Sequence, residues 1–338
     1  MNCMHGTTLR KTGMAAIALT MLAVFIILIG GATLPLQAQT GPAGEQAPQV
    51  THNLWSSGAP MPVALRSVSA GVLKGKIYVV GGINATGPVA DNQVYDPVAN
   101  TWSVAAPLPT TTGSAAFAVV KNVLYIFGGT TDGLTATNAV WAYYPKTNTW
   151  KPKAAMPTAR WEAGTAVEKN IIYVVGGYSE AAIRLDTVES YDPANDTWTE
   201  EAPLLTGKSA PTVGLVGTTI VAADGYTVSG DTGDSEGYSA SANTWSSLKA
   251  DPTGRNGACG GAIGAQLYVA GGYNAVNQSA LSVTESYKVS KNTWATLGAM
   301  PQASLLPGSA VYKARLYCFG GEDAFNGNLL NNVQSYQP

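Results

Sequence analysis

A repeat of 47–49 residues constrains this chain more than any other feature. An apolar run ending in a glycine pair, Lys76 to Gly82, returns at Val123–Gly129, Ile171–Gly177, Ile220–Gly225, Leu267–Gly272 and Leu316–Gly321. Trp55, Trp102, Trp150, Trp198, Trp245 and Trp294 each stand 26 residues before the first residue of a pair: Gly81, Gly128, Gly176, Asp224, Gly271 and Gly320. Tyr95, Tyr143, Tyr191, Tyr238 and Tyr287 each precede the next tryptophan by seven residues, and Tyr336 follows the same beat. A period of this length marks one supersecondary unit that cannot bury its apolar faces alone and must stack on its neighbours.

Each unit reads as four strands. The first is rich in small residues, such as Ser69-Ala-Gly71 and Ala163-Gly-Thr-Ala166, which places it near a crowded common axis. The second is the apolar run, without strict alternation, as suits a strand covered on both faces. The third ends at the periodic tyrosine, and the fourth opens at the periodic tryptophan after an Asp-Pro or Asn turn. Asn53 to Pro60 is then a fourth strand with no first three before it, while residues 307–336 are three strands without a fourth. The prediction is an all-β, six-bladed β-propeller over 51–338, closed by an N-terminal strand that completes the last blade.

Tyr-x-x-Gly-Gly, Tyr-Asp-Pro and Asn-Thr-Trp at this spacing resemble the Kelch repeat, and the likeness covers residues 53–338. Kelch propellers include adaptors, matrix proteins and a few enzymes, so the resemblance implies the fold more than the function. Galactose-oxidase-like members hold copper with histidines. Beyond the N-terminal segment this chain has only His52, so neither a histidine-based metal site nor a Ser-His-Asp triad can be assembled. No metal and no cofactor is assigned. The sialic-acid mutarotases, also six-bladed, use carboxylates and arginines at the mouth of the ring.

Residues 1–38 read as a signal peptide or an N-terminal membrane anchor. Arg10-Lys11 precede an uncharged run from Met14 to Ala32, and Leu36-Gln-Ala38 offers a cleavage site. Residues 39–50 read as a flexible spacer. Either outcome at the N-terminus predicts an extracytoplasmic propeller, secreted or anchored, with membrane contact only through an uncleaved segment. Residues 39–338 carry 17 basic and 21 acidic side chains, a net of 17 − 21 = −4, which gives no footprint for nucleic acid. Cys259 and Cys318 read as two small buried hydrophobes, though an oxidising compartment would let them pair.

Blades three to five depart from the rest. Arg160, Lys208 and Arg255 share one repeat position, and Tyr178, Tyr226 and Tyr273 directly follow the glycine pair in the same three blades. With Trp161 they form the predicted ligand-binding set on the loop face, suited to an anionic or sugar-like ligand. Arg66 lies one step out of that register. Asp224 replaces the first glycine of its pair and is either drift or a carboxylate near the axis. The expected function is a non-catalytic module binding protein or glycan. The alternative is a carbohydrate-active enzyme of mutarotase type using Asp224, Glu162 and Arg160.

Overall fold

The structure is a computed structural model that describes residues 52–338 apart from 181, 182 and 277. The segments read above as targeting element (1–38) and spacer (39–50) lie outside the described residues. Six four-stranded antiparallel sheets succeed one another along the chain. Blade 1 comprises Ser69–Leu73, Lys76–Val80, Asn92–Asp96 and Thr101–Val104, and blades 2 to 5 repeat that order. Blade 6 takes its inner three strands from Gly308–Tyr312, Arg315–Glu322 and Leu329–Gln337, and its outermost from Leu54–Gly58. The register runs from Leu54 opposite Gln337 to Gly58 opposite Val333, so the N-terminal strand closes the ring as the repeat arithmetic requires.

The periodic residues explain how blades are joined. In each blade the tyrosine hydroxyl donates to the amide or carboxyl oxygen of a turn residue: Asn100, Asn148, Asp196, Asn243, Asn292 and, across the closure, Asn53. All six turn residues have φ between 48 and 60°, the left-handed conformation that Asn and Asp tolerate best. In five blades that same oxygen also accepts the backbone N–H of a residue in the preceding blade, such as Ala106 for Asn148. The tryptophan indole donates to the carbonyl of that residue, as Trp150 does to Ala106 at 2.9 Å. At these five boundaries one residue of the preceding blade is therefore gripped at both its N–H and its C=O.

At the axis a second joint appears. Ser67, Ser114, Glu162, Ala210, Gly257 and Leu306 each donate a backbone N–H to the carbonyl of the one before, and Ser67 donates to Leu306. These six hydrogen bonds of 2.8–3.2 Å form a closed circle, one bond per blade boundary. Every residue in it has φ between 48 and 59°. Below the circle the inner strands crowd as their small residues predicted: a Cβ on Gly164 would lie 2.2 Å from the Val213 side chain.

The structure corrects the reading of the cysteines as separate hydrophobes. Cys259 on the inner strand of blade 5 and Cys318 on the second strand of blade 6 form a disulfide with Cα atoms 5.8 Å apart. Both positions are buried, and the repeat places them on facing strands, a relation that sequence separation hides.

Candidate functional site

The chain entering each inner strand passes through three positions that face different ways. The first, occupied by Leu65, Thr112, Arg160, Lys208, Arg255 and Ser304, turns into the blade and is buried in all six. The second makes a backbone bridge to the residue after the glycine pair: Arg66 with Ile83, Gly113 with Thr130, Trp161 with Tyr178, Ser209 with Tyr226, Asn256 with Tyr273 and Leu305 with Glu322. The third is the axial circle. Extended backbone alternates its side chains, so a cation in the first position and one in the second serve different purposes.

This alternation corrects the prediction that Arg160, Lys208 and Arg255 contact ligand. Their side chains are 0–1% exposed. Arg160 pairs with Glu189 at 2.8 Å and donates to the carbonyls of Gly176 and Thr187. Lys208 pairs with Glu236 at 3.0 Å and donates to the Asp234 carbonyl. Arg255 pairs with Glu285, lies 3.6 Å from Asp251, and donates to the carbonyls of Gly271 and Val283. The two arginines bind the ends of the second and third strands of their own blades together, and Lys208 holds the third strand of blade 4. Glu189, Glu236 and Glu285 occupy one repeat position, and there blades 1, 2 and 6 carry Gln93, Trp141 and Gln334. Trp141 thus belongs to blade packing.

The same correction applies to Asp224, which is 1% exposed and out of reach of a ligand at the mouth. Its φ of 62° matches the 61–70° of the five glycines at this position. Desolvation raises its carboxyl well above the ordinary value, and the nearby Asp251 carboxyl adds to that, while Arg255 and Lys208 oppose it. As two carboxylates the pair would repel; with a proton on Asp224, its hydroxyl donates to Asp251, and the two titrate as a unit. The sign follows. An acid whose folded pKa is raised takes up protons on folding, so stability falls as pH rises from the unfolded value, near 4, through the folded one. Asp224→Asn is expected to flatten that fall. Asp224→Gly should flatten it and also relieve left-handed strain of about 1 kcal/mol. Urea midpoints at pH 4.5 and pH 8 measure both; a wild-type midpoint that rises relative to Asp224→Asn between these pH values contradicts the expectation.

The remaining predicted residues do meet. Trp161, Tyr178, Tyr226 and Tyr273 line a cavity of about 630 Å³ at the mouth of the ring, with Glu162, Arg66, Arg184, Ser209, Asn256 and Phe325. The Arg184 guanidinium lies 5.0 Å from the Tyr178 ring centre and 4.7 Å from that of Tyr226, held between the two. Trp161 packs on Tyr178 at 5.7 Å, and Tyr273 on Phe325 at 5.6 Å, so aromatic walls stand on both sides. Arg66 is tied to Glu322 at 2.6 Å and stays about a third exposed. Glu162 is the one acid of the axial circle. Desolvation raises its carboxyl, against a hydrogen bond with Ser209 and the charges of Arg66 and Arg184.

Arg184 and Phe325 sit in loops of irregular length that carry no repeat register, so periodicity could not find them. Arg66 was visible and misjudged: its one-step offset is what turns it to the cavity. Among the described residues no cluster of His, Cys, Asp and Glu could hold a metal ion, and no helix is long and apolar enough to cross a membrane.

Fold and site together define a six-bladed β-propeller with an aromatic and cationic cavity at one end of its axis. The chain belongs to the Attractin/LZTR1 β-propeller family, which it matches over residues 77–334. A solved structure titled "Structure of YjhT" is similar in fold, with a TM-score of 0.69 at 20% identity, over 81% of this chain and 95% of that one. No curated protein sequence matches the chain.

Proposed function

We propose that this protein is an exported glycan-binding module whose ligand presents an acidic sugar to the mouth cavity. The observation that carries this reading is Arg184 fixed between Tyr178 and Tyr226. A guanidinium beside two aromatic rings brings a planar positive charge suited to a carboxylate, and the rings around it suit the apolar face of a pyranose. The Cys259–Cys318 disulfide supports an oxidising, extracytoplasmic location, secreted or anchored through residues 1–38.

A second reading is favoured by Glu162. A carboxyl raised by burial at a cavity wall, beside two arginines, has the properties of a general acid–base, which mutarotation at an anomeric carbon requires. Arg160 and Asp224 take no direct part in it. The experiment is a glycan array probed with residues 51–338, followed by titration of the strongest acidic ligand. Arg184→Ala and Tyr226→Ala are expected to weaken binding at least tenfold, and Lys121→Ala, remote from the mouth, to leave it unchanged. Equal losses in all three would mean nonspecific charge. Anomer exchange by NMR separates the readings: exchange that Glu162→Gln abolishes, with binding retained, makes the protein an enzyme.

A further inference from the structure

The mouth holds a second cavity of about 410 Å³ over blades 1 and 2. Arg66, Trp161 and Glu162 line both cavities, so these three residues form the sill between two lobes of one groove. Each lobe falls within the roughly 300–1,000 Å³ of small-molecule sites. The lobes differ in chemistry. The first has stacked aromatics and Arg184. The second, beyond the shared Trp161, is walled by Asn84, Ala85, Pro88, Ser114 and Asp132 and brings no aromatic of its own. The second position of blade 2 is Gly113, where a Cβ would meet Ile83, itself on the wall of this lobe, at 2.4 Å.

We infer that the groove takes an oligosaccharide of at least two units, an acidic sugar in the aromatic lobe joined to a neutral sugar beside Asp132, with the linkage over Glu162. This rests on the glycan reading above and adds ligand length and charge order to it. The order follows from charge. Asp132 accepts backbone N–H groups from Leu134 and Thr135 and hydroxyls from Thr130 and Thr135, which hold its carboxylate ionised. An acidic unit there would face a fixed negative charge, whereas a neutral sugar offers hydroxyl donors to it. In the first lobe the cation favours the acid. Among the described cations, Arg66 is the one that lines both lobes.

The test is calorimetric titration of residues 51–338 with glucuronic acid, with glucuronic acid linked to xylose, and with digalacturonic acid. The mixed disaccharide is expected to bind at least tenfold tighter than glucuronic acid, and digalacturonic acid no tighter than the monomer. Ala85 is an exposed loop residue on the second lobe, so Ala85→Trp fills that lobe without disturbing the core. It should return the disaccharide to the affinity of glucuronic acid and leave glucuronic acid within twofold. Asp132→Asn should let digalacturonic acid gain a few-fold. Equal wild-type affinities for monomer and mixed disaccharide, or an Ala85→Trp loss shared by both, would overturn the two-lobe groove while leaving the acidic-sugar site standing. If neither glucuronic acid nor its xylose conjugate binds, the acidic-sugar site fails and the groove with it.

Discussion

A chain beginning at residue 62 is expected to melt in urea far below one beginning at residue 51. The shorter chain lacks Leu54–Gly58, and with it the outer pairing of blade 6 from Val333 to Gln337. It loses the Tyr336–Asn53 hydrogen bond, the Trp55 bond to the Gly298 carbonyl in blade 5, and the packing of Trp55 on Tyr336 at 5.3 Å. Deleting one large aromatic from a packed site costs about 3–5 kcal/mol. The backbone bonds add about 0.5–1.5 kcal/mol each, so the sum approaches the whole stability of an ordinary domain, about 5–15 kcal/mol. The exposed edge of Leu329–Gln337 would also promote aggregation. Equal midpoints for the two chains would mean that blade 6 stands without its fourth strand.

The second large effect is expected inside blade 3. Arg160→Leu strands Glu189 in a buried site without its counter-charge, and breaking a buried pair from one side costs about 3–5 kcal/mol. Blade 1 shows the remedy: it carries Leu65 where blade 3 has Arg160, and Gln93 where blade 3 has Glu189. The double change Arg160→Leu with Glu189→Gln should recover most of the loss, and ligand affinity at the mouth should return with it. A double variant as unstable as the single one would show that the guanidinium bonds to Gly176 and Thr187, rather than the uncompensated charge, carry the effect. A stable double variant with lost affinity would restore Arg160 as a ligand contact.

How much was legible follows from the same residues. The fold was, down to the closing strand, because Trp, Tyr and the glycine pair each answer to one geometric need that recurs six times. The tyrosines after the glycine pair were legible for the same reason. The cations were found but assigned to the wrong side of the chain, since a repeat position identifies equivalent residues and not the direction they face. The correcting signal was present in the sequence. Glutamates occur at 189, 236 and 285, in just the blades that carry a cation, while Gln or Trp stands there in the others. A charge that travels with an opposite charge at a fixed offset within one blade marks an internal pair. Arg184 and Phe325 carried no such signal, because their loops differ in length from blade to blade.

The axial circle bears on how such a protein could change its ligand. Its six bonds use only backbone atoms, so the fold demands a left-handed turn at each position and asks nothing of the side chain. The occupants reflect that freedom: two serines, a glutamate, an alanine, a glycine and a leucine surround one opening. On the proposed glycan reading, specificity at the centre of the mouth can therefore drift by single substitutions, each with a modest conformational cost and none that removes a backbone bond of the circle. The grip of tyrosine, asparagine and tryptophan at the periphery keeps the ring assembled meanwhile. If the mouth recognises a glycan as proposed, stability and recognition are written in separate registers of the same repeat, and selection can revise the second without reopening the first.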